Sequence, residues 1–204
     1  TYFLMMVLFA GILHSGPRKD MPVDPRTSSV IKAQSPLEAN DIRSFVWNTG
    51  VFNQDLRTNN TPGFEWPKGT GKFAIFTAGL SIGALYEGNL RVATASYAGE
   101  YAPGTIENGV LINDSRFKIY SVRSGDNQFN NPDHANWGLM VPFGAPYVDI
   151  NENGTFDLGV DIPGIKDAGQ TIFVCLNDAD PSNHTPSEGY GGGTAPLTAE
   201  IRLT

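Results

Sequence analysis

Apolar and polar positions alternate along most of this chain in short runs separated by turn residues. Ile42, Ser44 and Val46 alternate with Arg43, Phe45 and Trp47, and Asn48-Thr49-Gly50 then breaks the run as a hairpin-like turn does. KFAIFTAGLSIGALYE predicts one long strand or two, with Gly79 and Gly83 as points for a bulge or close packing, and Glu87-Gly88-Asn89 turns the chain. LRVATASY and RFKIYSV each present two faces, the second with Phe117, Ile119 and Ser121 opposite Lys118, Tyr120 and Val122. QTIFVCLND is apolar enough for a strand buried on both faces, and the final TAPLTAEIRLT alternates Leu197, Ala199, Ile201 and Leu203. No stretch carries the apolar stripe of an amphipathic helix. At least six strands with polar turns between them predict an all-β fold, an antiparallel β-sandwich.

The two ends modify that picture. Tyr2 to Leu13 is an unbroken apolar run, too short for a bilayer span and of the right length for the core of an export signal. Residues 1–16 are therefore expected to be a signal peptide, incomplete at its start. Residues 17–40 hold four prolines and no sustained periodicity, as a linker does. Residues 41–204 are expected to form one domain, with more protein following because the last alternation stops without a turn. No internal repeat at a solenoid period is present.

Composition agrees with strands. Charged residues make up 17% of the chain, against 23 glycines and 14 prolines, which favours turns over long helices. Net charge is −7, and the scattered Lys and Arg form no stripe that would neutralise nucleic acid or an anionic membrane. The single cysteine, Cys175, has no disulfide partner and sits in an apolar run, where a thiol behaves as a small hydrophobe.

Few positions look chemical. In VDINENGTFDLGVDIPG, Asp149, Asn151 and Asn153 occupy alternate positions before Gly154, Thr155 offers its carbonyl, and Asp157 follows at the ninth place. A hard cation needs six to eight oxygens, and alternate residues on a tightly curling loop can point short side chains inward while glycine permits the bend. The twelfth place, where a bidentate glutamate would stand, holds Val160, with Asp161 one residue later. Asn, Asp and Gly are also what ordinary turns prefer. The stretch thus reads either as a weak structural calcium site or as a long polar turn, and the orientation of Asp161 separates the two.

Other candidates are weaker. WPKGTGK lacks the glycine and the hydroxyl that a phosphate loop requires, and reads as a turn with Phe64 and Trp66 packed near it. Cys175 and His184, with Asp178 or Asp180, could form a nucleophile and its base, but the thiol reads as core and the imidazole as solvent-facing. Asp133 and His134 have no second histidine at ligand spacing. Trp47, Trp66, Trp137 and Tyr190 could form a sugar platform, although aromatics in a sandwich are usually core.

The stretches EANDIRSFVWNTGVFN, GFEWPKGTGKFAIFTAGLSIGA and DPSNHTPSEGYGGGTAPLTAEIRLT resemble the N-terminal region of large secreted bacterial surface proteins of the type IX secretion kind, whose far C-terminus carries a sorting domain. The resemblance spans residues 36–204, which do not include a sorting domain. It implies a signal leading into a β-rich extracellular region, and it assigns no activity to particular residues. The expected function is a non-enzymatic extracellular β-sandwich module of a larger secreted or cell-surface protein, stiffened by calcium if the loop binds it. The alternative is an accessory or carbohydrate-binding domain of a secreted hydrolase. Expected partners are other extracellular domains of the same chain or surface glycans, with no nucleic acid and no stable membrane span.

Overall fold

The computed structural model describes residues 32–55, 61–184 and 194–204. The expected signal peptide, most of the expected linker and Tyr190 lie outside these residues. Within them the chain is all-β and antiparallel, with one four-residue helix, Pro132–Ala135, and three short 3-10 turns. No helix among the described residues is long and apolar enough to cross a membrane.

Two four-stranded sheets organise the molecule. In the first, Gln34–Leu37, Ser44–Trp47, Val51–Phe52 and Ala78–Gly79 lie side by side in that order. In the second, Gln170–Asn177 pairs with Ala102–Pro103, Tyr120–Arg123 and Glu200–Leu203. The first sheet starts inside the segment expected to be linker. Gln34–Leu37 is held there by its ladder to Ser44–Trp47 and by the Gln170 side chain, which donates to the Pro36 carbonyl at 2.8 Å and accepts from Glu38 N–H at 2.9 Å. That one amide side chain bridges the two sheets.

Gln170–Asn177 is buried at all eight positions, as its apolar sequence predicts. Side chains alternate across a strand, so this one feeds two cores. Val174 and Leu176 pack with Trp47 and Val51 of the first sheet, Ile201 and Leu203 of the second, and Ala93 and Tyr101 from outside both. Phe173 and Cys175 pack on the other side with Phe117, Tyr120, Val122, Trp137 and Met140. Burying each such large side chain stabilises the fold by about 1.5–3 kcal/mol.

The second core shows what periodicity overlooked. SGDNQFNNPDHANWG reads as a polar loop, yet it forms the helix Pro132–Ala135 and leads into the turns Trp137–Leu139 and Val141–Phe143. Asn131 caps the helix by accepting from Asp133 N–H at 2.8 Å. Trp137, fully buried, donates its indole N–H to the Pro146 carbonyl at 2.9 Å. These turns are too short to show a helical stripe.

KFAIFTAGLSIGALYE breaks into three strands, Phe73–Ile75, Ala78–Gly79 and Ser81–Tyr86. Gly79 marks a close approach, since a Cβ there would stand 1.8 Å from the Ala95 carbonyl oxygen. Gly83 does not; the nearest atom to an added Cβ is 3.8 Å away. Ser81–Tyr86 and Asn89–Thr94 form a regular hairpin with all six pairs in register. Glu87 and Gly88 both have positive φ, 50° and 77°, as a two-residue type I′ turn requires.

Candidate functional site

The loop of residues 149–161 hangs from a two-stranded base in which Tyr147–Val148 pairs with Ile162–Pro163. Phe156 anchors its middle, stacking edge-on against Tyr147 at 5.4 Å and packing on the second core. The backbone curls through positive φ at Glu152 (56°), Gly154 (77°) and Gly159 (87°). Short polar side chains therefore converge, while Ile150, Leu158 and Val160 face outward and are about half exposed.

Asp149 accepts from Gly154 N–H at 2.7 Å and from Asn153 N–H at 3.2 Å, which fixes the bend at the glycine. Asp157 is the centre of the cluster. One of its oxygens accepts from the side-chain amides of Asn151, at 2.9 Å, and Asn153, at 2.6 Å. Those two amides hold its carboxyl below the ordinary carboxylate value. Thr155 contributes its N–H to the Asn153 side-chain oxygen at 2.7 Å.

Asp161 turns inward. It is 3% exposed, and its two oxygens accept separately from Ile150 N–H, at 2.9 Å, and Asp157 N–H, at 2.7 Å. The carboxylate thereby ties the entry of the loop to its far side. Val160, at the place of the missing glutamate, faces solvent. Three aspartates thus share one small loop, and after burial their charges are what raise the Tyr147 hydroxyl pKa. Among the described residues no Lys or Arg bonds to any of the three, and no group of three or more His, Cys, Asp or Glu side chains is arranged as a metal-ligating set.

The thiol and imidazole do not meet. Cys175 points into the second core, and burial pushes its pKa up to about 11. His184 follows the turn Pro181–Asn183, beyond the end of the strand Gln170–Asn177, and, against the expectation of a solvent-facing ring, its side chain is 2% exposed. Its Nε2 lies 2.8 Å from the Asp178 carbonyl oxygen and 3.7 Å from the Asp178 carboxylate, while Nδ1 lies 3.6 Å from Glu100. The two carboxylates stand beside different ring nitrogens, and with the imidazole they form no metal-ligating group among the described residues. Asp178 serves the architecture instead, because its oxygens accept from Leu197 N–H at 2.7 Å and Ala199 N–H at 2.6 Å and so pin the approach to the last strand. Burial raises its carboxyl pKa while those two N–H groups oppose the rise. Asp180 caps the turn Pro181–Asn183 through Ser182.

Asp133 and His134 also separate. Asp133 pairs with Lys118 and accepts from Ser121 N–H at 2.9 Å, whereas His134 is the buried residue of the same helix. Of the candidate platform aromatics, Trp47 and Trp137 are core and Trp66 is 59% exposed.

Sequence reasoning missed the buried Glu100, and it missed what WPKGTGK does. The loop holds an anion, but the anion is its own neighbour: Glu65 accepts from Gly71 N–H at 2.7 Å and pairs with Arg43 at 3.0 Å. The N–H groups of Gly71, Gly69 and Thr70, with Arg43, hold its carboxyl below the ordinary value despite the opposing effect of burial. The signal was the alternation of glycines after a glutamate, a backbone nest with a built-in occupant. Trp66 projects away from this nest into solvent.

Comparison of the chain with known protein families, with characterised proteins and with solved structures gave no match.

Proposed function

We propose that this chain is a non-enzymatic extracellular β-sandwich module of a larger secreted or cell-surface protein, and that its loop 149–161 takes calcium to stiffen itself. The inward turn of Asp161 carries the calcium reading. With it, the loop holds Asp149, Asp157 and Asp161 beside two Asn side chains, and no cationic side chain among the described residues bonds to the three carboxylates. Rotating the Asn151 and Asn153 amides would replace N–H donors facing Asp157 with carbonyl oxygens, the ligands a hard cation prefers. Asp149 and the Gly154 N–H already brace the bend from within. Calcium would neutralise the repulsion and hold the loop on its two-stranded base, with no catalytic part. The export reading is supported by the apolar run Tyr2 to Leu13 and by the resemblance to secreted bacterial surface proteins.

Calorimetric titration of calcium into the protein tests the site, with Asp149→Ala and Asp157→Ala beside it. The expected dissociation constant is about 10⁻⁴ to 10⁻³ M, in the range of extracellular modules, accompanied by a rise in melting temperature that both variants abolish. No heat and no thermal shift at millimolar calcium would overturn the calcium reading. Export is tested separately: secreted material should begin within residues 14–25, and retention of Tyr2 to Leu13 would defeat it.

A further inference from the structure

The hairpin Ser81–Tyr86/Asn89–Thr94 has two outer edges that are finished differently. Because Glu87-Gly88 is a two-residue turn, Tyr86 and Asn89 form the closing hydrogen-bonded pair, and the even-numbered residues of the first strand bond inward. The outward groups are then those of Ser81, Gly83 and Leu85 on one edge and of Leu90, Val92 and Thr94 on the other. The second edge is capped at Val92 and Thr94. Val92 N–H donates to the Thr194 hydroxyl at 2.8 Å, the same hydroxyl donates to the Val92 carbonyl at 3.0 Å, and Thr94 N–H donates to Glu100 at 2.9 Å.

Beyond Leu80 no hydrogen bond caps the first edge among the described residues. Upstream, Ala78–Gly79 pairs with Val51–Phe52, and Leu80 N–H donates to the Gly50 carbonyl at 3.0 Å, but there the partner strand ends. Ser81, Gly83, Ala84 and Leu85 are exposed, Leu85 by 76%, and its cross-strand partner Leu90 by 58%. Natural edges are blunted by charge, proline, bulges or cover. Ser81–Tyr86 has no charged residue, no proline and no bulge.

We infer that this edge pairs with the same edge of a second copy of the chain, antiparallel and centred on Gly83, joining two hairpins into one four-stranded sheet. The register follows from the outward set. Gly83 faces Gly83 of the second copy and Ser81 faces Leu85, so all three outward residues fall in hydrogen-bonded pairs that exchange both N–H donors and carbonyl acceptors. The strand has no charged side chain, so self-pairing sets no like charges opposite each other although each chain carries −7. A six-residue strand spans about 20 Å, so its edge alone buries less than the about 1,200 Å² at which stable interfaces begin, and the dimer belongs to the weak, reversible class.

Sedimentation of the full chain across a concentration series tests this, using charge at the self-paired position. An added side chain fits at residue 83, where the nearest atom to a Cβ is 3.8 Å away. Wild type should associate reversibly at high concentration. Gly83→Lys and Gly83→Glu should each weaken association by about fivefold or more, because like charges then stand directly opposite. An equimolar mixture of the two should associate again, since unlike charges meet only if residue 83 faces itself. Leu85→Lys, at an exposed position, repeats the loss without touching the hairpin interior. A wild type that stays monomeric at about 1 mM, or association unchanged in Gly83→Lys, or a mixture no tighter than its components, would overturn the pairing.

Discussion

Asp157 concentrates the chemistry of the loop in one carboxylate. Its folded pKa lies below the ordinary 3.8 because the Asn151 and Asn153 amides favour the ionised form. For a depressed carboxylate the added stability is present above the unfolded pKa and is lost as pH falls through the folded value. Loop 149–161 should therefore keep its order through neutral and mildly acidic pH and lose it below about pH 4. Side-chain amide signals of Asn151 and Asn153 followed by NMR check this; signals that disperse only with global unfolding would refute a local loss. At this scale the sequence was partly legible. Alternate Asp and Asn before Gly154 announced convergence, because spacing alone aims such side chains. The tie made by Asp161 was not readable, since it depends on which way one residue after Val160 faces. Burial of His184 was hidden for the same kind of reason: its polar neighbours in the sequence are not its neighbours in space.

Among the elements, strands that alternate or run fully apolar were readable, and those shaped by close backbone contact were not. QTIFVCLND and the Glu87-Gly88 turn follow from composition and turn chemistry, whereas the break at Gly79 is imposed by Ala95 across the sheet. Gly79 and Gly83 look equivalent in the sequence but stand in opposite surroundings. Gly79→Ala should cost about 3 kcal/mol, because the methyl would overlap a backbone carbonyl that cannot yield cheaply. Gly83→Ala meets only ordinary van der Waals contacts, the nearest at 3.8 Å, at a φ that is not positive, and should change stability by less than about 1 kcal/mol in either direction. Urea unfolding of the two variants side by side measures the contrast; equal losses would contradict it. The helix Pro132–Ala135 and the turns after it escaped notice because they contribute Trp137 and Met140 to the core without a repeat long enough to register.

The whole molecule hangs on one strand. Gln170–Asn177 gives Val174 and Leu176 to one core and Phe173 and Cys175 to the other, and Gln170 fastens the first sheet to it. Phe173→Ala should cost about 3–5 kcal/mol and should lower the first core's melting temperature as much as the second's. Two separated calorimetric peaks would show that the cores melt independently. Neither core can open without dismantling the ladder that the other needs, so unfolding is expected to be a single cooperative event. Cys175 sits on that ladder as the chain's single cysteine, 1% exposed. The protein therefore carries its own unlabelled reporter of global opening. Alkylation of Cys175 under native conditions should run at least about 5 × 10³-fold slower than in denaturant, the ratio that a fold stable by about 5 kcal/mol implies. Its rate then counts how often the entire fold comes apart.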